Sequence, residues 1–237
     1  MSLKNSVATI ILLGTTSPLI AAEASQPWKG EAELGIVATS GNTETTSVKA
    51  RAGVIHENEK WRHTGKFDAL NTSDATRTTS ERYMLSGKSD YKFDDRSYAF
   101  GLLSYENDRF AGFDYRTSEI LGYGYRVIRE DNLTLDLEVG PGAQQTKLRD
   151  GSSENKLVGY LAGKLLWKIS PSASLSEDLT SEISSDATIV RSVTALTAQL
   201  VGSLAMKLSF TARYTSEVPV TVKDMDTETA VTLVYGF

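Results

Sequence analysis

Cysteine is absent from the 237-residue chain, which excludes thiol catalysis, thiolate metal sites and a disulfide framework. Histidine is nearly so: His56 and His63 are the two present, and they cannot form a multi-histidine metal centre with their own side chains. A basic excess is also lacking. The 25 Lys plus Arg stand against 30 Asp plus Glu, a net charge of −5, so the chain offers no electrostatic footprint for a nucleic-acid backbone. There is no glycine-rich strand–turn–helix loop for phosphate and no zinc-ligand series, and the 18 glycines are scattered. Beyond residue 24 no apolar run reaches helix-spanning length, which rules out a helical membrane protein. No catalytic residue, cofactor, metal or nucleic-acid partner is expected. The length fits one domain, at most two.

What is present begins with an export signal. Lys4 supplies a positive flank, Val7 to Ile20 form a short apolar run, and Ala22-Glu23-Ala24 fits the small-x-small cleavage pattern, with cleavage after Ala22 as the competing option. The run is short for a transmembrane helix, and no Cys follows it to carry a lipid. Residues 1–24 are therefore read as a signal peptide and 25–237 as the folded domain. An exported chain of this kind is a soluble protein or a membrane barrel.

From Trp28 onward the dominant period is two. Val231, Leu233, Tyr235 and Phe237 share one face, with Ala230, Thr232, Val234 and Gly236 on the other. Leu133, Leu135, Leu137 and Val139 alternate with Thr134, Asp136 and Glu138, and residues 204–211 repeat the pattern. A helix would spread these apolar side chains around its circumference, whereas a strand gathers them on one face. Turn signals delimit twelve strands, near 28–40, 45–57, 60–70, 80–94, 97–107, 114–129, 132–147, 156–170, 172–182, 189–202, 204–217 and 226–237. Strands nine and ten are the least sharply bounded. Many exceed the five or six residues usual in soluble sheets and match the 9–11 that a tilted membrane strand needs.

Connections after even-numbered strands are tight. Those after strands three, five, seven, nine and eleven are longer and polar, around 71–79, 107–113, 148–155, 182–188 and 218–225. Short periplasmic turns and longer outside loops are the outer-membrane barrel pattern. In that topology Trp28, Trp61, Tyr91, Phe93, Trp167, Tyr235 and Phe237 fall at the periplasmic edge. Tyr83, Tyr105, Phe113, Tyr115 and Tyr214 lie toward the other, giving two aromatic girdles. The expected fold is an all-β, closed antiparallel transmembrane β-barrel of about 12 strands with both termini periplasmic.

The faces opposite the apolar ones carry the charge. Candidate lumen positions are Glu33, Lys49, Arg51, Lys66, Asp68, Asp136, Glu138, Lys164, Lys207 and Arg213, together with Glu31, Arg62, Arg82, Lys88, Glu119 and Glu228. A first hairpin centred on Asn42 sets Glu33 beside Arg51. A second, centred between Asn58 and Glu59, sets Lys49 beside Asp68 and Arg51 beside Lys66. At the hairpin tip, Gly41 and Asn42 tolerate positive φ, and the Asn42 and Thr43 side chains can bond nearby backbone.

Gly35-Ile36-Val37-Ala38-Thr39-Ser40-Gly41-Asn42-Thr43-Glu44, Trp61-Arg62 and the closing Val234-Tyr235-Gly236-Phe237 resemble the uncharacterised family of salt-induced outer-membrane proteins of Gram-negative bacteria. The resemblance covers essentially the mature chain. It implies the cell outer membrane and expression under salt stress, and it supplies no substrate, catalytic residue or cofactor. The functions expected are a small pore or an envelope stress protein. The alternatives are a structural or interaction barrel with a plugged lumen and, with less support, a lipid-modifying enzyme. The last needs a base near its nucleophile, and both histidines lie toward the periplasmic side while such barrels commonly work on the outer leaflet. Expected partners are outer-membrane lipid and lipopolysaccharide, and the barrel assembly machinery through the C-terminal strand; the barrel is read as a monomer.

Overall fold

A ribbon with one apolar and one polar face must hide or match both. If it is a sheet with free edges, it also leaves a row of N–H and C=O groups unpaired. Closure meets both demands. The computed structural model describes residues 27–40, 45–74, 77–108, 113–218 and 223–237. Among them run twelve strands: β1 (Trp28–Ser40), β2 (Thr45–Glu57), β3 (Trp61–Asp74), β4 (Arg77–Lys92), β5 (Ser97–Asp108), β6 (Phe113–Arg129), β7 (Leu133–Leu148), β8 (Ser153–Ser170), β9 (Ala173–Ile183), β10 (Thr188–Val201), β11 (Leu204–Thr215) and β12 (Met225–Gly236). Each pairs antiparallel with its sequence neighbours, and β12 returns to β1, so the sheet is a closed barrel. The proposed signal peptide and the Gly41, Asn42 and Thr43 turn lie outside the described residues.

The seam between β1 and β12 is sealed to the last residue. Gly30 N–H donates to the Phe237 carbonyl at 2.7 Å, and Phe237 N–H returns a bond to Gly30 at 2.9 Å. An added Cβ at position 30 would sit 2.3 Å from the Phe237 ring, so a larger residue there would have to displace that ring. The start of β1 and the end of β12 therefore lie at one rim, with the short turns after the even-numbered strands. At that rim the Asp94 carboxylate accepts the N–H groups of Arg96 (2.7 Å) and Ser97 (2.8 Å). These backbone bonds hold its pKa below the usual carboxylate range.

The strands differ from the sequence reading at two places. The second hairpin is shifted: Arg51 faces Asp68, and Lys66 faces Gly53, so neither Lys49–Asp68 nor Arg51–Lys66 forms a register pair. The cause is the turn. Asn58 N–H bonds the Trp61 carbonyl at 2.8 Å, while the Asn58 side-chain oxygen accepts Lys60 N–H (3.0 Å) and Trp61 N–H (2.8 Å). That capped turn centres the hairpin between Glu59 and Lys60 and exchanges a like-charge contact for an opposite-charge one. Four of the five longer loops expected at the opposite rim are also shorter than expected, the stretch between β11 and β12 being the exception. The Thr-rich stretch after Asn71 continues β3 through Asp74, and β4 begins at Arg77, as β-branched residues favour. The distinction between rims comes largely from strand extension.

The outer surface is apolar. Leu157 is 84% exposed and Leu121 71%, and a belt of Leu, Val, Ile and aromatic side chains surrounds the barrel. Water would not tolerate such a belt; lipid would. Rings concentrate near the terminal rim, where Trp28, His56, His63, Trp61, Tyr91 and Phe93 form a continuous outward row over β1–β4, with successive centroids 4.4–6.2 Å apart. Tyr105 and Tyr115 stack at 5.9 Å toward the other rim. Phe113 instead is buried with Arg116 over its ring, because a bulge between Phe113 and Tyr115 re-aims it.

Two carboxylates break the belt. Glu119, expected in the lumen, pairs in register with Leu103 and shares the outward face of β6 with Leu121 and Tyr123. The parity of β6 is fixed by Ile120 and Ser118, which are buried inside. Glu177 also faces outward, opposite Leu165 and Thr194, with its oxygens bonded by the hydroxyls of Ser192 (2.6 Å) and Thr194 (2.5 Å). Those two hydroxyls stand in for water around the carboxylate.

Leu208 lies on the outward face between Leu196 and Val231. Leu208→Arg is expected to cost about 2–4 kcal/mol at mid-bilayer depth and to reduce the folded fraction after refolding into lipid vesicles, read by heat-modifiable gel mobility. Thr134→Arg, on the inward face of β7, should refold nearly as wild type.

Candidate functional site

The inward faces converge on a lumen lined by ionised groups. In the half nearer the terminal rim, Glu138 on β7 is the hub. Its side chain is 0% exposed and accepts Lys88 (2.7 Å), both-oxygen contacts from Lys164 (2.9 and 3.0 Å) and the Tyr98 hydroxyl (2.8 Å). Lys88 extends the chain to Asp90 at 2.5 Å, and Asp90 takes Arg62 at 2.6 Å. Arg126 grips Asp136 through two parallel bonds of 2.6 and 2.9 Å, and Arg62 reaches Asp136 at 3.9 Å. Every strand from β3 to β8 contributes a side chain to this connected system.

Its support is aromatic. Tyr98, Phe100, Ile120, Tyr160 and Ala162 form a buried cluster on the inner wall. Tyr98 and Phe100 stand opposite Gly124 and Gly122 of β6. A Cβ at Gly124 would be 2.2 Å from the Tyr98 ring and one at Gly122 2.5 Å from Phe100, so the two bare positions let the rings lie flat on the wall. Lys88 sits 4.7 Å from the Phe100 centroid and 5.1 Å from that of Tyr98, which holds its ammonium over π-faces as well as carboxylates.

Nearer the opposite rim the pairs cross greater distances. Lys49 on β2 bonds Glu228 on β12, which also takes Arg82 of β4 at 3.0 Å. Arg51 holds Asp68 at 2.5 Å and approaches Glu33 at 3.8 Å; Lys207 of β11 and the Thr232 hydroxyl bond Glu33 as well. Arg213 on β11 comes within 4.0 Å of Glu106 on β5, strands on opposite sides of the barrel. Lys66 faces inward and stays exposed.

The ten principal lumen candidates lie on inward faces: Glu33, Arg51, Asp68 and Lys207 in one group, Lys49 with Glu228, Asp136, Glu138 and Lys164 in the lower network, Arg213 across from Glu106, and Lys66 exposed and outside these groups. Sequence reasoning passed over Asp90, Arg126, Glu106, Asp178, Glu182 and Arg191. Asp90 was findable by parity with Arg82 and Lys88. The rest depend on strand registers that hydrophobic alternation alone leaves loose. The histidines point outward, His63 with its Nδ1 2.9 Å from Ser89 Oγ. Among the described residues no carboxylate hydrogen-bonds either imidazole. No three His, Asp or Glu side chains among them form a metal-holding group.

An apolar girdle outside, a closed antiparallel wall and a charged interior define a transmembrane barrel of the outer-membrane kind. The chain belongs to the family described as "Protein of unknown function, DUF481", which matches residues 32–237. It is 28% identical over 216 residues to the Escherichia coli (strain K12) "Uncharacterized protein YdiY", covering 91% of this chain and 85% of that one. Among solved structures it is similar to the NanC porin, with a TM-score of 0.60, 9% identity and coverage of 86% and 98% of the two chains. It is also similar to an outer membrane channel from Pseudomonas putida F1, with a TM-score of 0.55, 10% identity and coverage of 94% and 100%. At such identities the likeness is one of fold.

Glu138→Ala would leave the Lys164 ammonium and the Tyr98 phenol without their acceptor and Lys88 with Asp90 alone. It should destabilise the barrel by about 3 kcal/mol, the lower end for a broken buried pair because Lys164 can rehydrate. The urea midpoint of the detergent-folded protein measures this, and an unchanged midpoint would show that the network carries no stability.

Proposed function

We propose that the protein is an outer-membrane channel for small hydrophilic solutes whose bore is narrowed by ion pairs between facing walls. The observation that carries this reading is the lumen itself. A barrel built only to be filled would pack its interior with apolar side chains, whereas here paired acids and bases line it and keep it wettable. The opening is eccentric. Inner-face side chains of β5–β8, such as Tyr98, Phe100, Ile120, Val158 and Tyr160, are buried against the wall. Ser176, Asp178, Thr180, Arg191 and Val193 on β9 and β10 retain partial exposure, as Lys66 does fully. The water route therefore follows the β9–β11 side and faces Lys66 across it.

The outer membrane, lipopolysaccharide around the apolar belt and delivery to the assembly machinery through β12 with its terminal Phe237 belong to the same reading. A role in the envelope under salt stress is consistent with it. The second reading, a structural barrel with a closed lumen, is favoured by the Arg213–Glu106 contact across the diameter.

Planar bilayers separate the two. The purified mature chain should give discrete conductance steps in KCl, and Glu106→Gln, which releases Arg213 from the far wall, should increase their size. A silent bilayer with correctly folded protein of both forms would support the structural barrel.

A further inference from the structure

Arg191 is one of three inward-facing cations, with Lys66 and Arg116, that no carboxylate among the described residues pairs, and it alone of the three stands in register with a second arginine. It lies half-buried on the inward face of β10, opposite Thr180 of β9 and Arg213 of β11. Like charges directly opposite on adjacent strands destabilise a sheet unless an anion lies near them. The carboxylates that weigh most on Arg191 are Glu228 and Asp68. Both are committed elsewhere, Glu228 to Lys49 and Arg82, and Asp68 to Arg51. Arg82 and Arg51 add their own positive charge to the surroundings of Arg191. Arg213 is offset by Glu106 across the lumen at 4.0 Å and by its register partner Asp226 on β12, so within this arginine pair the uncompensated charge is that of Arg191.

Among the described residues no carboxylate comes within 4.0 Å of Arg191, and its guanidinium donates no hydrogen bond to another side chain or carbonyl. No buried side-chain nitrogen or oxygen among these residues lacks a partner, so the donors of Arg191 are open to lumen water. A planar fork with free N–H groups, next to a second arginine and facing a solute route, matches the two-oxygen edge of a carboxylate or phosphate.

We propose that Arg191, flanked by Arg213, is an anion subsite within the lumen that receives a carboxylate- or phosphate-bearing solute through paired N–H···O bonds. The subsite deepens the channel reading by naming its solute class. It also concentrates anions at the constriction, where Arg213 approaches Glu106, and so biases the current toward them.

The test uses the detergent-folded mature chain and two probes, inorganic phosphate and succinate, titrated calorimetrically at low ionic strength. Saturable binding of one or both is expected, and the probe that binds distinguishes a phosphate from a carboxylate cargo. Arg191→Gln should weaken binding about tenfold or more. Arg191→Lys, which keeps the charge and loses the fork, should also weaken it while preserving the anion preference of the KCl current. Arg129→Gln, which removes a rim cation paired with Asp95, should change neither. Heat-modifiable mobility verifies that each variant is folded. No saturable binding of either probe, or equal binding by folded Arg191→Gln, would overturn the subsite. A silent bilayer with intact binding would overturn the channel and leave the subsite standing.

Discussion

Backbone hydrogen bonding at the seam is the constraint from which the other features follow. In a bilayer no water is available to satisfy a free strand edge, so the last strand must find the first. Here the chain does so down to its final residue, with Phe237 bonded to Gly30 and its ring resting where a side chain at Gly30 would have been. Once the sheet is closed, a period of two sorts every side chain into one of two surroundings. The apolar set meets lipid and the charged set meets itself.

That sorting gives the lumen its chemistry. Twelve strands bring acids and bases from distant parts of the sequence within reach, and the pairs link strands that share no backbone bonds: β4 with β7 through Lys88 and Glu138, β4 with β12 through Arg82 and Glu228, β5 with β11 through Arg213 and Glu106. These links brace the wall and set the bore. Aromatic rings over bare glycines thicken one side of the inner wall. The two outward carboxylates mark the limits of the sorting, since Glu177 persists in the apolar belt by recruiting two hydroxyls from β10.

Much of this was legible without coordinates because alternation is a local property. Val231–Leu233–Tyr235 or Leu133–Leu135–Leu137 reads as a strand whatever surrounds it, and the strand bounds agree within a few residues. Misreadings came where a neighbour decides. Polar Thr residues after Asn71 look like loop in isolation, yet they extend paired strands. Glu119 looks like a lumen charge until the buried Ile120 and Ser118 set the parity of β6. The second hairpin slid by one residue in its centre because the Asn58 side chain, rather than charge pairing, places the turn.

The linear order of residues by itself pointed to about twelve strands, their antiparallel succession and the division into an apolar and a polar side, since a two-residue repeat is the signature of a strand. The three-dimensional closure decided which acid meets which base and left Arg191 without one. Ion pairs across a lumen depend on the register of every strand between the partners, and no stretch of sequence contains that sum.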